Sequence, residues 1–188
     1  NKSTKPDISF WKDKRVLITG IAGCAGSHLA ERLIKYGADV HGVVRKHASP
    51  IYLNINHIIN SLKIFVIDLT ELDSIENVIK KVDPHVIFHL AAESSATVSV
   101  DEPKRSFYNN VESTYNTFIA ARKYANSLEG LQVACSSEQY GYFKDFNEIP
   151  MKETSPLRPL HPYTLSKITA EYIAKMYHDV YGIPSVIT

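Results

Sequence analysis

The sequence has few cysteines, almost no net charge and no long apolar run. Cys24 and Cys135 are the only cysteines in 188 residues, and both lie in segments expected to be buried near a sheet. We therefore expect no disulfide framework, which is consistent with a protein of the reducing cytoplasm. The formal net charge of +1, with lysine and arginine scattered among acids, argues against a nucleic-acid-binding surface. We expect no membrane span, and the polar first residues, 1–7, lack the apolar core of a secretory signal.

Metal-binding patterns are also missing. The eight histidines are dispersed along the chain. His85 and His89 flank a predicted strand and fall on one face of it, but a packed or solvated role suits them better than metal ligation. We therefore expect no metal site.

The chain does contain an alternation of apolar, β-rich runs with helical patterns. Hydrophobic residues make up 44% of it, enough for one domain with a substantial core. The alternation predicts an α/β fold with a parallel sheet covered on both faces, and right-handed crossovers favour the doubly wound strand order 3-2-1-4-5-6. The predicted strands are residues 15–19, 39–44, 63–67, 85–90, 131–136 and 185–188. The predicted helices are residues 26–36, 71–81, 104–125 and 162–181.

Two segments fit neither pattern. Residues 48–61 are predicted to be a loop with a short helix, and residues 143–162, which include four prolines, an extended surface loop. Residues 1–13 are predicted to be a polar N-terminal extension, and residues 14–188 a single domain.

Three glycines lie where the first strand should turn into the first helix. Gly20, Gly23 and Gly26 follow the strand at intervals of three residues. At such a turn the first allows a tight conformation, the second lets the backbone approach a phosphate, and the third permits close packing of helix on strand. The helix N-terminus then presents N–H groups to an anion. The segment indicates a dinucleotide-binding cradle, the alternative being a glycine-rich turn in another kind of α/β protein.

Tyr163 and Lys167 form a second pattern, far downstream. Since they are four residues apart on a predicted helix, they share one face. A tyrosine acts as a base near neutrality only if its pKa of about 10 is lowered, and an ammonium group and a helix N-terminus both act in that direction. Alone this is an ordinary surface pair. Combined with the glycine turn, it predicts a nicotinamide-dependent enzyme.

Polar groups also follow the fifth predicted strand. Ser136, Ser137 and Glu138 place hydroxyls and a carboxylate at the carboxyl edge of the sheet, where doubly wound proteins bind ligands. These residues either act on a substrate or merely cap a turn.

The glycine spacing and the Tyr-x-x-x-Lys pattern together resemble the extended short-chain dehydrogenase/reductase family, in its nucleotide-sugar-modifying branch, over residues 14–188. Ser136-Ser137-Glu138, Arg45 and Ala92-Glu93-Ser94-Ser95 are most similar to the GDP-mannose 4,6-dehydratase group. The resemblance implies a Rossmann-type fold followed by a smaller C-terminal substrate lobe. We expect that lobe to be missing here, because the chain stops just after the sixth predicted strand.

The resemblance also implies roles for single residues. Ser136 is expected to donate a hydrogen bond to the substrate oxygen, Tyr163 with Lys167 to move a hydroxyl proton, and Glu138 to act as a base. The expected substrate contacts are Ser94, Ser95 and Ser137. The expected cofactor-binding residues are Gly20, Gly23, Cys24, Ala25, Gly26, Arg45, Asp68, Leu69, Leu90, Ala91, Ala92, Asn110, Tyr163 and Lys167.

The residues after the second predicted strand favour NADP over NAD. A carboxylate there would bind the ribose 2′-hydroxyl of NAD, whereas a cation can neutralise the 2′-phosphate of NADP. The chain has Arg45 and Lys46 at this point. NAD stays an alternative, because basic residues are also common at solvated strand ends.

The resemblance implies a nucleotide-sugar 4,6-dehydratase, which oxidises C4, removes the C5 proton with Glu138, loses water and returns the hydride to C6. One alternative is an NADPH-dependent 4-keto-6-deoxysugar reductase, in which Glu138 has no role. A second is a C4 epimerase, an enzyme that commonly has an acidic residue in place of Arg45. A third is a non-catalytic cofactor-binding scaffold. As in related proteins, helices 104–125 and 162–181 are expected to pair in a homodimer.

Overall fold

The computed structural model of the protein describes residues 7–45, 53–143, 145 and 149–188. Within them the chain forms six strands and five α-helices. The strands are β1 (Arg15–Thr19), β2 (Asp39–Val44), β3 (Lys63–Val66), β4 (Val86–His89), β5 (Gly130–Val133) and β6 (Ser185–Ile187). The helices are α1 (Cys24–Lys35), α2 (Leu72–Val82), α3 (Ala96–Asp101), α4 (Pro103–Tyr124) and α5 (Pro162–Tyr181).

All strand pairs are parallel, and the order across the sheet is β3-β2-β1-β4-β5-β6. The predicted doubly wound order is thus confirmed. The chain winds one way from β1 to β3 and then returns to the other side of β1 with β4. The carboxyl ends of β1 and β4 therefore diverge into a crevice, the place where open α/β sheets bind ligands.

The sheet separates two apolar cores, because successive strand residues point to opposite faces. One core lies between the sheet and α2, α4 and α5, and the other between the sheet and α1. Buried members of the first core include Leu17, Val43, Ile75, Ile79, Ile87, Phe118, Leu131, Ala174 and Tyr177. Those of the second include Val16, Ile18, Ala30, Leu33, Val40, Val44 and Ile55. Each fully buried aliphatic side chain stabilises the fold by about 1.5–3 kcal/mol. Together the two cores therefore hold in place the strand ends that carry the site.

Local signals place the two long helices. Both α4 and α5 begin with proline, which suits the first helical turn because no hydrogen bond is lost there. The N-cap of α5 is His161, whose side chain accepts a hydrogen bond from the backbone N–H of Thr164. The helix ends at Gly182, which adopts the left-handed conformation with φ of 70°. These caps fix where the first turn of α5, with Tyr163, begins.

Several predicted boundaries need correction. The short helix α3 was not predicted, because its sequence is rich in β-branched residues, and it forms where Ser95 caps it by accepting a hydrogen bond from the Val98 N–H. The fifth strand was predicted over 131–136 but ends at Val133. Residues 137–140 instead form a 3₁₀ helix capped by Ser136. Cys24 was expected to be buried and is exposed, because it lies at the first turn of α1, while Cys135 is partly buried.

The segments whose sequence has neither a helical nor a strand pattern contain little regular secondary structure. Residues 56–61 form a 3₁₀ helix, whereas 48–52 of the same predicted segment lie outside the described residues. The described part of 143–161 forms no helix or strand, as expected of a loop. In the predicted N-terminal extension, residues 8–11 form a 3₁₀ helix, and the ring of Trp11 lies 6.0 Å from that of Phe88. In the ranges that the structure describes, every helix is too short or too polar to cross a membrane.

Candidate active site

A cleft of about 560 Å³ opens at the carboxyl edge of the sheet, above β1 and β4. It brings together twelve of the fourteen expected cofactor-binding residues, from four loops and α4, together with one expected substrate residue, whereas Tyr163, Lys167 and Ser136 do not line it. The predicted residues that line it are Gly20, Gly23, Cys24, Ala25, Gly26, Arg45, Asp68, Leu69, Leu90, Ala91, Ala92, Asn110 and Ser94. Lining residues that were not among the predicted site residues are Val43, Val44, Ile67, Thr70, Glu93, Asn109 and Ser113. Most of these adjoin predicted ones, so the positions of the strand ends could have indicated them.

The glycine turn is too tight for side chains. Gly20 has φ of +73°, and a Cβ there would lie 2.9 Å from the backbone nitrogen of Ala91. A Cβ on Gly26 would lie 2.4 Å from the carbonyl oxygen of Gly20. Gly23 is the N-cap of α1 and has no side chain to cap the helix. The start of α1 thus faces the cleft with bare backbone, which fits the pyrophosphate of a dinucleotide.

A buried polar network underlies the floor of the cleft. His89, the last residue of β4, lies with Nδ1 3.0 Å from the Thr19 hydroxyl and Nε2 3.2 Å from the Thr114 hydroxyl. Thr19 also accepts a hydrogen bond from the Ala91 N–H at 3.2 Å. Burial, with a contribution from the charge of Lys167, lowers the pKa of His89 to about 3. The ring is therefore neutral, and the network fixes the segment after β4 against the end of β1.

Asn110 joins three parts of the cleft. Its Oδ1 accepts a hydrogen bond from the Glu93 N–H at 2.7 Å, and its Nδ2 donates to the Glu93 carbonyl at 3.1 Å. The same amide nitrogen donates to the Ser166 hydroxyl on α5 at 2.9 Å. Because Asn110 itself lies on α4, it ties two helices to the loop after β4.

The cleft also extends past the carboxyl ends of β2 and β3. Asp68 accepts hydrogen bonds from the backbone and hydroxyl of Thr70 at 2.9 and 2.8 Å. Asn116 on α4 donates to the carbonyls of Leu69 and Thr70, both at 3.1 Å. Sequence reasoning missed Asn116, because its contact is visible only once α4 packs beside this loop. Arg45 is exposed at the end of β2, and Lys46 lies outside the described residues.

Tyr163 and Lys167 lie one turn apart on α5, and both are largely buried. The Lys167 ammonium lies 5.9 Å from the centre of the Tyr163 ring and donates to the Ala134 carbonyl at 2.8 Å. Burial raises the pKa of Tyr163, and the nearby Ser136 hydroxyl opposes that rise. Burial also lowers the pKa of Lys167. The expectation of an acidified phenol is therefore not met in this structure, because burial, helped by Glu138 and Cys135, outweighs the effect of the Ser136 hydroxyl on the pKa of Tyr163.

Ser136 has a structural role in the turn that follows β5. Its hydroxyl accepts a hydrogen bond from the Glu138 N–H at 3.2 Å, and its own N–H donates to the Gln139 side chain at 3.0 Å. Gln139 in turn donates to Glu171 on α5 at 2.6 Å. The turn-capping interpretation of this segment is thus correct for the structure, and it is compatible with a catalytic role because the capping bonds fix the hydroxyl in place.

Glu138 contacts a residue that sequence reasoning did not select. Its Oε2 lies 3.2 Å from Nε2 of His161, the residue that caps α5. The sequence signal that could have identified His161 is its place directly before Pro162 at the start of a helix, which is an N-cap position. Glu138 and Ser137 are exposed, and they lie on the strand-β5 side of the cleft without lining it. Ser95 does not line the cleft either, since it caps α3.

Among residues 7–45, 53–143, 145 and 149–188, no group of three or more histidine, cysteine, aspartate or glutamate side chains is placed to hold a metal ion.

Comparison with known proteins gives consistent matches. The model of the GDP-mannose 4,6-dehydratase family matches residues 17–188. The GDP-mannose 4,6-dehydratase of Yersinia enterocolitica is 33% identical over 180 residues, covering 90% of this chain and 47% of the relative. The chain thus spans about half the length of the curated relatives it matches.

Solved structures of epimerases have the same fold. The UDP-N-acetylglucosamine 4-epimerase of Methanobrevibacter ruminantium, in complex with UDP-N-acetylmuramic acid, is 32% identical with a TM-score of 0.81 and covers 94% of this chain and 54% of that one. The UDP-glucose 4-epimerase of Thermus thermophilus, in complex with NAD, is 31% identical with a TM-score of 0.82 and covers 92% of this chain and 53% of that one.

Proposed function

Because the chain belongs to the GDP-mannose 4,6-dehydratase family, we propose that the protein is a nucleotide-sugar 4,6-dehydratase that uses bound NADP. One observation carries the proposal: Glu138 lies on the same short turn as Ser136, and its carboxylate lies 3.2 Å from His161, the residue that caps the helix carrying Tyr163 and Lys167. A carboxylate next to a Tyr-Lys pair supplies the second base that dehydration needs and simple oxidation does not.

The residues present fit a nicotinamide dinucleotide. Bare backbone at Gly23 and Gly26 suits its pyrophosphate, and Arg45 supports NADP because it is a cationic residue that lines the cleft after β2. When bound, the cofactor supplies hydride transfer, taking a hydride from the sugar and giving it back, so that none is consumed overall. We propose residues 14–188 as the cofactor-binding domain.

The first proton transfer falls to Tyr163. The phenolate form takes the proton of the sugar 4-hydroxyl, while Ser136 donates a hydrogen bond to the same oxygen as the C4 carbonyl forms. Lys167 favours the phenolate through its charge, and the Ala134 carbonyl holds its ammonium near the Tyr163 ring. A cationic group bound above Tyr163 would lower its pKa, against the effect of burial.

The second proton transfer falls to Glu138. A C4 carbonyl acidifies the C5 proton, and the Glu138 carboxylate removes it. Protonated Glu138 then gives a proton to the 6-hydroxyl, which leaves as water. Once the hydride is back on C6, C5 takes up the proton that Tyr163 removed from the 4-hydroxyl, so both bases regain their starting states and the product is a 4-keto-6-deoxy sugar. Ser94, Ser95 and Ser137 are proposed to contact the substrate.

The epimerase alternative is supported by the names of the structural neighbours. It would use Tyr163 and Lys167 in the same way and would need no base at Glu138. The reductase alternative uses the same groups and an external supply of NADPH. The scaffold alternative uses the cleft alone.

The test is to incubate the whole protein with GDP-mannose and NADP and to follow the sugar nucleotide by mass spectrometry. A dehydratase yields a product lighter by one water with no net NADPH consumed. An unchanged mass with inverted C4 indicates an epimerase, and stoichiometric NADPH oxidation with a 4-keto substrate indicates a reductase. The Glu138→Gln variant is expected to bind NADPH as the wild type does and to lose dehydration; full retained activity would reject this role for Glu138.

A homodimer is proposed through α4 and α5. Residues seven apart on each helix lie on one face, and here they are large and exposed: Tyr108 and Tyr115 on α4, Leu165 and Tyr172 on α5. Such a surface suits pairing with a second copy in a four-helix arrangement. Analytical ultracentrifugation of the wild type and a Tyr115→Glu variant tests this. We place the protein in the cytoplasm, without nucleic acid or membrane as partners.

A further inference from the structure

His161 lies between the two groups proposed as bases. Its Nδ1 accepts a hydrogen bond from the Thr164 N–H at 3.3 Å, which caps α5. Its Nε2 lies 3.2 Å from Oε2 of Glu138. Its ring stacks on that of Tyr163, with centroids 6.0 Å apart and planes at 19°. One side chain therefore contacts both Glu138 and the residue that begins the chemistry.

The cap decides which ring nitrogen carries the proton. Since Nδ1 accepts from the backbone of α5, it has no proton in the neutral ring, and the proton is on Nε2. The Thr164 hydroxyl lies against the same ring edge, 3.1 Å from Nδ1 and 3.2 Å from Nε2. The nitrogen that faces Glu138 is thus a donor in the neutral as well as in the charged ring.

Glu138 needs such a partner. The side chain of Glu138 is 48% exposed, whereas that of His161 is only 18% exposed and fixed by α5. An exposed carboxylate is free to sample several rotamers, and a base works only when it is held within reach of the proton it removes.

We propose that His161 is a positioning residue for Glu138, which it holds by donating a hydrogen bond from Nε2 to the carboxylate. The inference rests on the proposed dehydratase function, because that function assigns the C5 proton to Glu138. It adds a residue to the proposed site that acts through Glu138 without touching the sugar. It also couples the base to the start of α5, since the same ring caps the helix that carries Tyr163.

Two variants separate positioning from capping. An asparagine amide can occupy the place of Nδ1 and is a good N-cap, so His161→Asn keeps the helix cap and loses the donor to Glu138. A glutamine amide reaches the place of Nε2 but caps poorly, so His161→Gln keeps the donor and weakens the helix. For His161→Asn we expect an unchanged melting temperature and NADPH Kd, with kcat for dehydration lower by about 10- to 100-fold. His161→Gln should melt lower but keep a higher kcat than His161→Asn.

A double variant tests whether His161 acts through Glu138. Positioning predicts that His161→Asn slows C5 proton exchange with deuterated water in the wild type but not in a Glu138→Gln background, because the base is already gone. Equal losses in both backgrounds, or wild-type kcat in His161→Asn, would overturn the inference. So would a kcat in His161→Gln below that of His161→Asn.

A measurement without substrate keeps this inference distinct from the proposed function. In the ¹⁵N spectrum of the whole protein, His161 is expected as the Nε2-protonated tautomer, with an Nε2 signal that moves in Glu138→Gln. A ring protonated at Nδ1, or an Nε2 signal that does not move, would overturn the inference even if dehydration is observed. Failure of the wild type to dehydrate any nucleotide sugar would overturn the proposed function, whatever the tautomer.

Discussion

Replacing Gly26 with alanine tests the glycine cradle at its tightest point. The new Cβ would lie 2.4 Å from the Gly20 carbonyl oxygen and 2.8 Å from the Ile21 Cα. Both neighbours are backbone, so no side chain can turn away to relieve the contact. Ordinary contacts begin at 3.4 Å, and the turn between β1 and α1 must therefore move by about 1 Å.

The shift misaligns the backbone N–H groups at the start of α1 with a bound pyrophosphate. A hydrogen bond to a charged group contributes about 1.5–3 kcal/mol, and losing one such bond weakens binding by about 10- to 100-fold. The overpacked turn also lowers the free energy of unfolding by about 1–3 kcal/mol. We therefore expect Gly26→Ala to remain folded with a lower melting temperature and a strongly raised Kd for NADPH.

The assay is isothermal titration of NADPH, with circular dichroism to follow unfolding. Gly130→Ala is the matched control, because a Cβ on Gly130 at the start of β5 meets nothing within 4 Å. It should bind NADPH as the wild type does. If Gly26→Ala also binds with wild-type affinity, the glycine turn is not the dinucleotide cradle and the reasoning fails.

Three further predictions concern single residues around the cleft. Cys24 is exposed beside the cradle, whereas burial raises the pKa of Cys135 to about 11. An alkylating reagent should therefore label Cys24 before Cys135. Saturating NADPH should slow the labelling of Cys24. Arg45→Asp should shift the ratio of NADPH to NADH affinity by about tenfold or more towards NADH, measured by titration. Burial lowers the pKa of His89 from 6.5 to about 3. Between these two pH values the unfolded chain binds more protons than the folded protein, so the free energy of unfolding falls as the pH drops from 6.5 towards 3. Denaturation at pH 7 and pH 5 should show a loss of about 2 kcal/mol from this group, and less in a His89→Asn variant.

Each of these has an outcome that contradicts it. Labelling of Cys24 at the same rate with and without NADPH would place the cofactor elsewhere. An unchanged cofactor ratio in Arg45→Asp would remove the argument for NADP. An equal loss of stability between pH 7 and pH 5 in the wild type and in His89→Asn would mean that other groups account for the pH dependence.

The sheet and the cradle could be predicted because their signals are local. Apolar runs separated by helical patterns determine the strand order once right-handed crossovers are assumed, and glycines at a strand-to-helix turn have few other uses. The predicted strand order is confirmed. The ends of elements were less accurate, as for the fifth strand and for α3, because capping by a single serine outweighs propensity there.

The polar contacts between distant segments could not be predicted. His89, Asn116 and His161 acquire their partners only when helices pack on the sheet, and no spacing in the sequence reports such contacts. The raised pKa of Tyr163 has the same origin, since the burial of a side chain follows from the packing around it. The predicted roles of the site residues stay predictions until the variants are measured.

Asn110 gives the molecule a mechanical link between its surface and its interior. Asn110 is two residues from exposed Tyr108 on the same helix, and its amide makes two hydrogen bonds with the Glu93 backbone in the wall of the cleft. A shift of α4 would therefore move that wall through Asn110. If the helices do pair, thermodynamic reciprocity requires that whatever association does to cofactor affinity, the cofactor does equally to association.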